Sequence, residues 1–252
     1  MPVKGIRYEN VKKRPRMIAK RRIWEFDWDV LIILDACRYD AFKMKNIVPG
    51  ELTYYYSVGS STGEWTKNTF TEKHPNLTYV STNPHISDFM TPSITGFIPC
   101  KIHCLLTGPQ WDDKLECVRP DSTFNYIKGM PAPDGKLILH YIQPHHPFIG
   151  KKPIRATGYT AWKTGHAAAT DTVWDLFAKE AITRQQAWEA YLSNLELVME
   201  YVKKTVELPQ FKDKKVMVTA DHGNLFGEYG KCCHPAGYEY EELIKVPLLR
   251  VI

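Results

Sequence analysis

Long hydrophobic runs are missing from this 252-residue sequence. No uninterrupted apolar stretch approaches the roughly 18–20 residues that cross a bilayer. The N-terminus is basic but lacks the apolar segment of a signal peptide, so the expected location is cytoplasmic. Paired CxxC spacing is also missing among the six cysteines, Cys37, Cys100, Cys104, Cys117, Cys232 and Cys233, which argues against a structural zinc finger. Free buried thiols are expected, and a disulfide among Cys100, Cys104 and Cys117 stays open. No internal repeat or low-complexity tract occurs, and no nucleic-acid-binding signature accompanies the basic residues.

What is present is an ordinary globular composition, 44% hydrophobic and 24% charged, with a net charge of +5. The positive excess is concentrated in residues 11–22, "VKKRPRMIAKRR", which carry seven Lys or Arg and no acid. Such a block is either a solvated arm or a surface for anionic head groups. The expected organisation is a basic N-terminal arm over 1–25 and a single catalytic domain over 26–252.

Hydrophobic patterning supplies the fold class. Val30 to Leu34 is a continuous apolar run of strand length, the pattern of a parallel strand covered on both faces. Further strands are read at 52–58, 77–82, 136–142, 214–220 and 245–252. Pro247 suggests an edge position or a strand start for the last of these. Helical composition dominates 167–207, where a Trp/Leu/Tyr stripe is expected to face the core. Segments 84–120 and 144–166 are rich in Pro, Gly, His and Trp and read as functional loops. Strands alternating with helices predict an α/β fold, a three-layer α/β/α sandwich on a mostly parallel sheet.

Open sheets of this kind bind ligands beyond the carboxyl ends of their strands. Those ends deliver Asp35, then Ser57 with Ser60, Ser61 and Thr62, then Asn83 and His85. His140, His145 and His146 follow, then Asp221 and His222, with His234 in the succeeding loop. Carboxylate and imidazole together suit zinc, manganese or a similar divalent ion. Such an ion lowers a hydroxyl's pKa and neutralises a phosphoryl or sulfuryl oxygen. A hydroxyl at a helix N-terminus gains further from the free N–H groups there. The set predicts metal-assisted ester cleavage at a tetrahedral anionic centre.

The ordered blocks "LDACRYD", "SVGSSTGEW", "HYIQPHHPF", "TADHGNLFGE" and "CHPAG…KVPLL" resemble the alkaline phosphatase superfamily, in particular its sulfatase-like and phosphoglycerol-transferase-like branches. The resemblance implies that Asp35, Asp221 and His222 bind one divalent metal, zinc or manganese, together with the nucleophile's oxygen. It places that nucleophile in "GSSTGEW". Counting back four residues from Glu64-Trp65 selects Ser60, with Thr62 as the alternative. It implies that His145 and His234 contact substrate or leaving group, with His140, Asn83 and Arg38 as further substrate-binding candidates. Gly223 is expected to let the chain turn sharply after the metal ligands.

Two departures narrow the reading. The formylglycine signature of conventional sulfatases is absent from the nucleophile region, and Tyr141 stands where two-metal relatives carry an aspartate. The latter argues against a complete second metal site. The expected activity is therefore hydrolysis or transfer of a phosphate ester through a covalent intermediate, on a small-molecule, lipid or glycan substrate. Two rivals remain: a sulfuric ester hydrolase without formylglycine, and a metal-binding pseudoenzyme that docks on membrane or nucleic acid through its basic arm.

Overall fold

In the computed structural model, residues 18–165 and 170–252 are described. The chain forms twelve strands among them. β1 (Lys20–Arg21), β2 (Val30–Leu34), β3 (Gly50–Ser57), β4 (Leu77–Ser81) and β5 (Lys101–Cys104) come first. A short pair, β6 (Trp111–Asp112) and β7 (Cys117–Val118), precedes β8 (Lys136–Tyr141) and β9 (Val216–Thr219). A hairpin of β10 (Leu225–Phe226) and β11 (Cys232–Cys233) leads to β12 (Lys245–Val251).

Eight strands make one sheet in the order β1-β3-β12-β9-β2-β8-β4-β5. β12 runs antiparallel to both neighbours, and every other pairing in that sheet is parallel. The continuous apolar runs occupy its centre: all five residues of β2 and all four of β9 are buried. Burying five aliphatic side chains in β2 alone contributes on the order of 10 kcal/mol. With helices on both faces, the three-layer α/β reading holds.

The helices are α1 (Tyr39–Lys45), α2 (Thr62–Thr69), α3 (Thr91–Thr95), α4 (Pro120–Lys128), α5 (Thr160–Thr164), α6 (Val173–Ala178), α7 (Arg184–Val206) and α8 (Glu241–Ile244). α1, α4 and α6 pack on α7, while α2 and α3 pack on each other. The segment read as one helical stretch over 167–207 resolves into α6 and α7. A capping box opens α7, with the Thr183 hydroxyl accepting from the Gln186 N–H and the Gln186 side chain accepting from the Thr183 N–H.

Two expectations need correction. β12 is interior, between β3 and β9, although it contains Pro247. The physical reason lies in its register: β9 pairs only with Leu248, Leu249 and Arg250, so Pro247 has no partner on that side to deprive of a donor. The fold also begins before residue 26. Lys20 and Arg21 pair with β3, and Ile23 is fully buried. Lys20 forms an ion pair with Glu239, and Arg21 one with Glu25. Residues 11–17 of the basic block lie outside the described residues. Among the described residues no helix is long and apolar enough to cross a membrane, and all six cysteines are free.

Candidate active site

The sheet order makes neighbours of β9, β2, β8 and β4, and their carboxyl ends carry Asp221-His222, Asp35, His140 with His145, and Asn83. Thr62 arrives from β3 as the first residue of α2. Ser61 caps that helix in an extended conformation, its hydroxyl accepting from the Glu64 N–H at 3.4 Å. Gly59 is required just upstream, because a Cβ there would stand 2.3 Å from the Trp65 nitrogen.

Thr62 lies at the centre. Its Oγ1 donates to Asp221 Oδ2 at 2.9 Å and is 3.1 Å from His222 Nε2. The Asn83 amide donates to Thr62 Oγ1 at 3.2 Å and also to Asp35 Oδ2. His222 Nδ1 faces the Gly223 carbonyl at 2.8 Å, an acceptor only, so Nδ1 carries the proton and Nε2 offers a lone pair to the site. Asp221 is held by N–H groups of Ala36 and His222 on Oδ1, at 3.1 and 2.9 Å, and the Ser57 hydroxyl donates to its carbonyl. Gly223 serves close approach rather than a sharp turn: its N–H donates to Leu243 at 2.7 Å, and a Cβ would meet the Glu242 carbonyl at 2.0 Å.

The cluster is buried, with Asp35 2% exposed and Asp221 and His222 fully covered. Burial and the neighbouring Asp221 charge push the Asp35 carboxyl well above its ordinary range, against the pull of the Asn83 hydrogen bond. Two adjacent buried carboxylates oppose each other's ionisation unless a cation joins them. Asp35 Oδ1 and His140 Nε2 are both buried without a hydrogen-bond partner among the described residues. His222 Nε2 is 3.6 Å from Asp35 Oδ1 and 3.3 Å from Asp221 Oδ2. An oxygen-and-imidazole donor set with unsatisfied atoms fits a divalent ion such as zinc or manganese.

A second group stands beside the first. His145 Nε2 and His234 Nε2 are 2.8 Å apart, and the His234 ring lies 4.4 Å from that of His222. His145 Nδ1 faces the His146 carbonyl at 2.8 Å and therefore carries a proton, leaving its Nε2 to accept from His234. The Tyr159 hydroxyl is 2.6 Å from the same Nδ1. Burial, followed by the neighbouring His146 and His234, keeps His145 well below its usual pKa. Burial, followed by His222, does the same for His234. The Cys233 thiol is within 4.8 Å of donor atoms on both rings, and its backbone is left-handed at φ 67°.

Two candidates point elsewhere. Ser60 is turned from the cluster: its N–H and hydroxyl reach Glu64 Oε2 at 2.8 and 2.9 Å, and the hydroxyl lies 2.9 Å from the Pro235 carbonyl. Of the two hydroxyls, that of Thr62 reaches Asp221 and His222, while Glu64 in the first turn of α2 engages that of Ser60. Arg38 spends its guanidinium on Asp40, Glu228 and the Asn224 carbonyl, over the Trp188 ring, bracing α1 against the β10–β11 hairpin rather than meeting an anion. His140 is fully buried within β8, with Nδ1 2.9 Å from the Tyr79 hydroxyl.

Tyr159, Tyr79 and Asn194 are not marked by the sequence motifs, and Cys233 is read there only as a free thiol. Asn194 donates to the carbonyls of Pro144, His145 and Pro147, at 3.2, 2.9 and 3.2 Å, and accepts from the Ile149 N–H at 3.0 Å. It fixes the "PHHPF" loop from the buried face of α7. Nothing in the helical period marks Asn194, since Ser193 and Thr205 are also polar and buried on α7.

No protein-family model matches the sequence, and no curated protein matches it. Solved structures do. The soluble domain of lipooligosaccharide phosphoethanolamine transferase A from Neisseria meningitidis aligns with a TM-score of 0.59 and 17% identity, over 93% of this chain and 79% of that one. Against the integral membrane protein itself the values are 0.59 and 16%, over 95% and 49%, so this chain spans about half of its length. The phosphonate monoester hydrolase of Agrobacterium radiobacter aligns at 0.54 and 11%, over 87% and 67%. The likeness is one of fold: this chain shares its mostly parallel α/β sheet with the phosphoethanolamine transferase and phosphonate monoester hydrolase structures.

Proposed function

We propose that this chain is a metal-dependent phosphoester hydrolase or phospho-group transferase with Thr62 as its nucleophile. The observation that carries the reading is the Thr62 hydroxyl, at a helix N-terminus and within hydrogen-bond distance of both Asp221 and His222. Asp35, Asp221 and His222, with the Thr62 oxygen, would hold one divalent ion, which when bound supplies Lewis acidity for the hydroxyl and for a phosphoryl oxygen.

The side chains account for the remaining steps. Thr62 Oγ1 directs its proton to Asp221 Oδ2 and attacks phosphorus. The Thr62 O–P bond forms as the P–O bond to the leaving group breaks. Free N–H groups at the start of α2 receive the phosphoryl oxygens. The His145–His234 pair, protonated as the anionic ester binds beside it, delivers that proton to the leaving oxygen and regains one from the water or acceptor alcohol that releases the phosphothreonine. The Asn83 amide orients Asp35 and Thr62.

The substrate class we favour is a lipid- or glycan-linked phosphoester, supported by the lipooligosaccharide substrate named for the Neisseria structure. The phosphoethanolamine transferase domain from Campylobacter jejuni is periplasmic by its description. For this chain we keep the cytoplasm, because six free thiols suit a reducing compartment.

Thr62→Ala is expected to lower turnover of an aryl phosphate ester by at least about a thousandfold, and Ser60→Ala by far less. A Thr62→Ala protein with full activity overturns the assignment. A strong preference for the matching aryl sulfate overturns the phosphate reading in favour of the sulfatase rival.

A further inference from the structure

We propose that His140 is itself a ligand of the active-site metal, an imidazole supplied from within the sheet. The inference rests on the reading of Asp35, Asp221 and His222 as a metal centre. His140 is fully buried in β8, its ring packed against Tyr79 and Trp65 at centroid distances of 6.1 and 6.3 Å.

Its two nitrogens have different surroundings. Nδ1 is 2.9 Å from the Tyr79 hydroxyl, while Nε2 is buried with no hydrogen-bond partner among the described residues. Nε2 points at the carboxylates, 3.9 Å from Asp221 Oδ2. That is too long for a hydrogen bond. It does fit two donors on one ion, since atoms each about 2.1 Å from a metal are at most about 4.2 Å apart. Donor atoms of Asp35, His140 and Asp221 all lie within 4.8 Å of one another. Asp35 Oδ1 is likewise buried and unpaired, so one cation between the strands satisfies both orphaned atoms. Tyr79 completes the arrangement: a Nδ1–H donated to its hydroxyl leaves the Nε2 lone pair for the metal.

The test uses cadmium-113 and cobalt(II) on the full chain, without any assay of activity. In cadmium-loaded wild-type protein with nitrogen-15 histidine, cadmium–nitrogen coupling is expected at both His140 Nε2 and His222 Nε2. Coupling at His222 without His140 overturns the proposal and leaves the centre intact, whereas coupling at neither overturns the centre as well. In parallel, His140→Gln is expected to weaken cobalt binding by about 10–100-fold and to alter the visible absorption of the bound ion. Asp221→Asn should abolish binding. An unchanged cobalt spectrum and affinity in folded His140→Gln protein, beside a loss in Asp221→Asn, counts against His140 alone. Should His140→Gln fail to fold, Tyr79→Phe retains the imidazole, and the cadmium coupling in wild-type protein decides the question by itself.

Discussion

Tyr159 shows how a single hydroxyl bears on the chemistry without touching the reacting atoms. Placed 2.6 Å from His145 Nδ1, it helps fix which nitrogen of that ring carries the proton, and so which one faces His234. If the pair protonates the leaving oxygen, Tyr159→Phe should lower kcat by about tenfold on an alkyl phosphate ester. The loss should be smaller on a nitrophenyl ester, whose leaving group departs without a proton, and KM should be preserved on both. Equal losses on the two substrates would reduce Tyr159 to a packing role. Ser60 and Thr62 teach a related lesson. Spacing to Glu64-Trp65 picks one hydroxyl, but the Glu64 carboxylate captures that one and leaves the site to the other. Spacing records the order of residues along the chain and carries no information about competition between nearby acceptors.

Among the elements, the turn from β9 into the hairpin is the most tightly built. Gly223→Ala would drive a methyl group into the Glu242 backbone carbonyl, which cannot swing aside as a side chain would. A destabilisation of about 1–3 kcal/mol is expected, read as a lower denaturant midpoint, with weaker metal binding because His222 precedes the displaced residue. A variant with wild-type stability would show that α8 can retreat. Six strands are legible in the sequence, β2, β3, β4, β8, β9 and β12, and in β2, β8 and β9 nearly every side chain is buried, so apolarity runs almost unbroken. β5, "KIHC", and the two-residue strands of the hairpin were not legible, since short, half-exposed segments have no period to detect. The acids and histidines at strand ends could be read because the topology gives those positions a chemical meaning. Asn194 and Tyr79 could not, because helix and strand periodicity assigns them to the core, where they are buried but polar in purpose.

For the molecule as a whole, burying neutral imidazoles near the site gives stability a dependence on pH. His146 illustrates the sign: burial lowers its pKa from 6.5 to about 4. Below about 6.5 the unfolded chain binds a proton that the folded chain refuses, so stability falls as pH drops from there to about 4, then levels off with respect to this group. Metal-free protein should show this decline in thermal melts across that window, and His146→Gln should make it shallower. Melts whose pH dependence is identical in the two proteins would show that His146 takes up its proton without unfolding.

β12 joins the half of the sheet that leads into Thr62 to the half that bears Asp221, pairing with β3 on one side and β9 on the other. It follows both in the chain, and its partners in β3 lie nearly two hundred residues upstream. Contacts so distant in sequence form late and slowly. During synthesis, Thr62 emerges long before the strand that binds the two sheet halves together, and Asp221 shortly before it. The nascent chain therefore holds the side chains of the cluster before the sheet that gathers them is complete.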